Sequence, residues 1–107
     1  MGPRLCAVAT SLWLAALVAS SPAAAATIRV AVDKISFAPA QVSAHVGDTI
    51  EWVNADFLAH SATDRKKAWD IFLPPNARRS VKLTHAGEID YYCRFHPNMV
   101  GHISVAP

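Results

Sequence analysis

The stretch Cys93-Arg94-Phe95-His96-Pro97-Asn98-Met99 sets a thiol, an imidazole and a thioether three residues apart. A compact loop at the end of a strand can fold that spacing around one centre. One loop does not easily complete a coordination sphere, so a further ligand is expected from elsewhere. His60 is the best placed, because it follows a strand-like segment and the turn-rich stretch 54–59. A thiolate and two imidazoles in one plane, with a weak axial thioether, is the donor set of blue-copper electron-transfer sites. Each residue also has a plainer reading when taken alone. Cys93 reads as a buried thiol, His60 as a turn histidine, and Met99 as filler for an irregular gap in the core.

Other chemistries use some of the same residues. A thiol enzyme would take Cys93 as nucleophile and His96 as base, but it would also need a group to orient the base and donors for an oxyanion. No neighbouring residue obviously supplies them. Zinc prefers several cysteines or histidines and rarely accepts methionine. A copper chaperone or scavenger remains the alternative to an electron carrier, although delivery of reduced copper usually relies on several methionines or paired cysteines. His45, His85 and His102 lie in or beside expected strands and read as solvated or packing residues. His102, close to the loop, is the reserve ligand should His60 not serve.

The elements that must position these residues begin after an expected leader. Arg4, the apolar run 5–18 and the small residues ending in Ala23-Ala24-Ala25-Ala26 have the order of a secretory signal peptide. The run is shorter than the roughly 20 residues that a membrane span needs. Residues 1–26 are therefore expected to be a cleaved leader, with 27–107 as one periplasmic domain not inserted in the membrane. Cleavage would remove Cys6 and Met1, so Cys93 and Met99 would be the last residues of their kinds, both in one loop with His96. It would also leave about 80 residues and no partner for a disulfide, and a bound metal is one way to staple so small a domain. The formal charge of +2 on the whole chain falls well short of the basic face that nucleic acid requires.

Within the domain, period-two alternation predicts strands over 27–33, 41–46, 49–53, 79–83, 88–93 and 100–105. In the segment 88–93, Ile89, Tyr91 and Cys93 share one face. No helix of three turns is expected, the nearest candidate being 64–72. Gly47 and Gly87 are expected to serve turns with positive φ. Trp52, Trp69 and Tyr91 read as packing residues, and the basic runs Arg65-Lys66-Lys67 and Arg78-Arg79 as solvated faces. Many short strands punctuated by Gly and Pro indicate an all-β sandwich or barrel.

The segments Phe37-Ala38-Pro39 and Val46-Gly47-Asp48-Thr49-Ile50-Glu51-Trp52-Val53-Asn54-Ala55-Asp56, followed by His60, resemble the first half of plastocyanin-like cupredoxins. Tyr91-Tyr92-Cys93 with His96 and Met99 resembles their ligand loop, and the two-residue gap Pro97-Asn98 looks most like that of amicyanins. The resemblance implies a Greek-key β-sandwich holding one type-1 copper ion near one end through His60, Cys93, His96 and Met99. It also implies that His96 passes the electron at the surface and that Pro97 helps form an apolar docking patch. A monomer that shuttles electrons between redox proteins, and is not an enzyme, would follow. By analogy the partners would be an amine dehydrogenase and a c-type cytochrome. Two positions depart from the family pattern: Ala59 stands where proline is common and Ser61 where asparagine helps tie the ligand loops together. Arg94 adds a charge beside the cysteine.

Overall fold

The computed structural model describes residues 2–4, 6–15 and 24–107. The stretch 16–23 of the expected leader lies outside the described residues, as do residues 1 and 5. The strands are β1 (Thr27–Asp33), β2 (Ser36–Ala38), β3 (Gln41–His45), β4 (Thr49–Asn54), β5 (His60–Asp64), β6 (Asp70–Leu73), β7 (Arg78–Lys82), β8 (Gly87–Cys93) and β9 (His96–Ala106). One sheet has the order β2-β1-β4-β7 and the other β3-β9-β8-β5-β6. The pairs β1–β4 and β3–β9 are parallel, and the remaining pairs are antiparallel. This is an all-β sandwich, as expected, and no helix occurs among the described residues.

Alternation builds the core. Val30 and Val32 of β1, and Ile50 and Trp52 of β4, face Tyr91 and Cys93 of β8 and Ile103 and Val105 of β9, all buried. Each large apolar side chain so buried contributes roughly 1.5–3 kcal/mol. Phe37, Trp52 and Trp69 surround Tyr91, with ring centroids 4.7, 5.5 and 5.8 Å away. The Tyr91 ring lies directly over Gly101, its cross-strand partner on β9. A Cβ there would overlap Tyr91 Cζ, so only glycine fits. Burial pushes the Tyr91 phenol up to about 12.

Several elements differ from the expected ones. The stretch 64–72 is a turn leading into β6. The Asp64 carboxylate accepts bonds from the amides of Lys66 and Ala68, and Lys67 takes a φ of 61°, which breaks any helix. The last strand starts at His96, four residues before its expected start at Val100. β2, β5 and β6 were not anticipated, for they are short or polar. Gly47 and Gly87 have the expected positive φ, 98° and 139°, but only Gly47 lies in a turn, and Gly87 is the first residue of β8. Arg78, Arg79 and Lys82 are exposed on β7, an outer strand of the first sheet.

Candidate metal centre

β8 and β9 form a hairpin whose tip is Arg94-Phe95, and Cys93 and His96 face each other across it. The next paired position is Tyr92 with Val100, so Pro97, Asn98 and Met99 bulge from β9. Cys93 is buried on the inner face of β8, as alternation predicted, and His96 is half-buried at the rim. Met99 sits in the bulge with its side chain only 3% exposed. His60 opens β5 and is completely buried. Although Cys93 and His60 stand far apart in sequence, β5 pairs with β8 and brings the two together.

The Cys93 sulfur lies 3.8 Å from Nδ1 of His60 and 3.8 Å from Nδ1 of His96. All three donor atoms fall within 4.8 Å of one another. Metal–nitrogen and metal–sulfur bonds of about 2.0 and 2.3 Å, opened by a trigonal angle, separate their donors by about 3.7 Å. The observed spacing therefore suits a single metal ion. A soft thiolate with two imidazoles suits copper in both of its common oxidation states.

The ring of His60 is held from behind. Its Nε2 lies 2.7 Å from the Asp56 carboxylate, which also accepts the amides of Lys34 at 2.8 Å and Ile35 at 3.1 Å. The Ile35 amide, foremost, holds the Asp56 carboxyl below the ordinary carboxylate range against the opposing pull of burial. An ionised carboxylate only accepts, so the proton of His60 sits on Nε2 and the Nδ1 lone pair faces Cys93. Asn54, buried at the end of β4, spans the approach to His60. Its amide donates to the carbonyls of Leu58 and Leu73 at 2.9 Å, and its Oδ1 accepts the Asp56 amide at 2.9 Å. Neither Asn54 nor Asp56 stood out in the sequence as a supporting residue. The signal available was a polar Asn-x-Asp just before a candidate ligand.

Ser61 ties the two ligand segments without an asparagine. Its backbone N–H donates to the Cys93 sulfur at 3.3 Å, and its hydroxyl accepts the Arg94 amide at 2.8 Å. The Arg94 side chain turns away to pair with Asp70 at 2.9 Å and lies over the Phe95 ring. His102 is remote from these donors in its bonding. It bridges Asp90 and Glu88 at 2.7 and 2.6 Å through its two ring nitrogens, and so leaves no free nitrogen for a metal. The reserve role considered for it has no support in that geometry.

An apolar rim surrounds the half-buried His96. Ile35, Phe95 and Pro97 line a shallow groove with it, and Phe57, 89% exposed, lines an adjoining groove with Leu58. Phe57 and Ile35 were not recognised in the sequence as part of this face. Among the described residues no helix is long and apolar enough to cross a membrane.

Comparison with known proteins agrees with this geometry. The amicyanin-alpha of Methylorubrum extorquens is 30% identical over 101 residues, covering 89% of this chain and 85% of that protein. The amicyanin of Paracoccus versutus is 27% identical over 94 residues, covering 82% and 71%. An oxidised amicyanin variant of known structure superposes with a TM-score of 0.69 at 26% identity, covering 73% of this chain and 80% of the other. The family model of the cupredoxin-like domain matches residues 4–105. With a matching fold, donor set and sequence, this chain belongs to the cupredoxin-like family, as a relative of the amicyanins with one copper ion as its cofactor.

Proposed function

We propose that this protein is a periplasmic electron carrier that uses a type-1 copper site formed by His60, Cys93, His96 and Met99. The observation that carries the proposal is the convergence of the Cys93 sulfur and the two Nδ1 atoms within 4.8 Å at the rim of a rigid sandwich. When bound, copper supplies a one-electron Cu(II)/Cu(I) couple. The chain's own part is to hold the donors still. Asp56 fixes the tautomer and the direction of His60. The hairpin pairing fixes Cys93 against His96. The Ser61 N–H satisfies the sulfur. Donors that cannot rearrange give neither oxidation state its preferred geometry, which keeps the cost of gaining or losing an electron low. Met99, buried in the same loop as His96, would be the fourth and weaker donor to the copper.

His96 is the only one of these four residues whose side chain is not buried, and it is therefore assigned as the port for the electron. The apolar rim around it suits brief docking of redox proteins. An amine dehydrogenase and a c-type cytochrome are the partners suggested by analogy. No bond of a substrate is made or broken, so the protein is not an enzyme. Burial of His60 and Cys93 favours this reading over a copper chaperone, because a delivered ion must be reached by its acceptor. Residues 1–26 are assigned as an export leader and 27–107 as the working domain.

The deciding experiment is an optical and EPR spectrum after one equivalent of Cu(II) is added to the domain. An intense blue thiolate-to-copper band with narrow hyperfine splitting is expected, and Cys93→Ala should abolish the band. A colourless solution with an ordinary copper signal would overturn the proposal.

A further inference from the structure

Beside Cys93 the polar side chains close into a ring. The Asp70 carboxylate accepts Thr63 Oγ1 at 2.7 Å and Arg94 Nε at 2.9 Å through one oxygen. The Thr63 bond first, and Arg94 second, hold this carboxyl below the ordinary range. Because a carboxylate only accepts, the single hydroxyl proton of Thr63 is committed to Asp70. In the 2.9 Å contact between Ser61 and Thr63, Ser61 must then be the donor. The Ser61 oxygen in turn accepts the Arg94 amide at 2.8 Å. Two arms thus leave Arg94, one from its amide through Ser61 and Thr63 and one directly from Nε, and both end on the Asp70 carboxylate. Ser61 and Thr63 reach the ring together because residues two apart on a strand share a face. Both are buried, where a directed chain of hydrogen bonds is stiffer than its separate members.

The geometry points to Asp70 as a positioning residue of the metal centre: acting through Thr63, it orients Ser61, and so holds the Ser61 N–H on the Cys93 sulfur and sets the redox potential of the bound copper. This inference rests on the electron-carrier reading. An N–H bond to the sulfur draws density from the thiolate and weakens its support of the oxidised metal, which raises the potential. Loosening the ring should therefore lower it. Removing the Asp70 charge would act in the opposite sense, since losing a nearby anion favours the reduced ion. A substitution that leaves the charge in place separates the two effects.

The test compares the native chain with Thr63→Val, which breaks the ring, and Thr63→Ser, which keeps the hydroxyl. Amide hydrogen exchange of Ser61 and Arg94 is measured without metal, with the Ile103 amide as reference for global opening. The midpoint potential is measured after loading with Cu(II). Thr63→Val should speed Ser61 and Arg94 about tenfold relative to Ile103, the loss expected for one buried hydrogen bond, and should lower the potential. Thr63→Ser should restore both. Unchanged exchange and potential in Thr63→Val would overturn the inference. If Thr63→Val does not fold, the exposed Asp70→Ala is read by exchange alone, with the same expected acceleration and the same disproof if there is none. A native chain that fails to turn blue would defeat the carrier reading, while the metal-free exchange would still decide whether the ring holds Ser61.

Discussion

β4 and β5 follow one another in the chain and obey opposite rules. In β4, Ile50, Trp52 and Asn54 point inward while Thr49, Glu51 and Val53 are partly exposed, so the strand alternates as a half-buried strand should. In β5 all five residues, His60 to Asp64, are buried, yet only Ala62 is apolar. β4 lies in the body of the first sheet and contributes apolar area. β5 lies between β6 and β8, so its polar groups have no access to water and must find partners within the protein. They do: His60 bonds Asp56, Ser61 bonds Thr63 and Arg94, and Thr63 bonds Asp70. A buried polar strand costs stability unless each group is satisfied, and what it returns here is direction. One strand supports the fold and the other aims the donors.

That division can be broken experimentally. The largest expected effect is Trp52→Ala in β4, which should cost about 3–5 kcal/mol in denaturant unfolding of the metal-free chain. A loss below 1 kcal/mol would show that β4 is not the structural strand of the pair. Next comes Gly101→Ala, which forces a methyl into the Tyr91 ring and should cost about 1–3 kcal/mol by the same measurement. Unchanged stability would mean that the ring can move aside. On the side of the site, Asp56→Ala should weaken copper binding about 10–100-fold in a competition titration, with a smaller change in metal-free stability. The reverse ranking would make Asp56 a fold residue.

The smallest effect tests a polar cluster outside both strands. Asp90 first, then Glu88, raises His102 from its ordinary 6.5, and bonds from Ser104 and His102 lower Glu88 from its ordinary 4.5. The stability supplied by His102 is full below its ordinary value and is lost as pH rises through the raised one. The stability supplied by Glu88 is full above its ordinary value and is lost as pH falls through the lowered one. Melting temperatures of native and His102→Gln chains should therefore differ most between those ordinary values and converge in alkali. A gap that widens with alkali would contradict the assignment.

The same contrast explains what was legible in the sequence. β1 falls on the expected residues 27–33, and β4 and β8 differ from expectation by one residue at one end, because alternation records burial on one face. β5 left no such trace, since a strand buried on both faces with polar residues has no period to detect. His60, Cys93, His96 and Met99 were singled out by residue type and by spacing in the loop. Their supports were not, because Asp56 meets Lys34 and Ile35, and Asp70 meets Arg94, only after the chain has folded. Ser61 is the instructive intermediate. Its position suggested a tie between ligand segments, but Thr63 joins that tie only because 60–64 forms a strand, and Asp70 only through the pairing of β5 with β6.

β7, at the margin of the first sheet, bears on a different property. An outer strand offers unpaired backbone groups to any second copy of the chain. Pairing two such strands would bring their side chains to the inter-strand spacing of about 4.8 Å. On β7 those side chains include the exposed Arg78, Arg79 and Lys82, so edge-to-edge approach of two copies meets repulsion between like charges. Self-association along this edge is discouraged, and the electron carrier proposed above, which would meet one partner, part from it and diffuse to the next, would keep its freedom to travel.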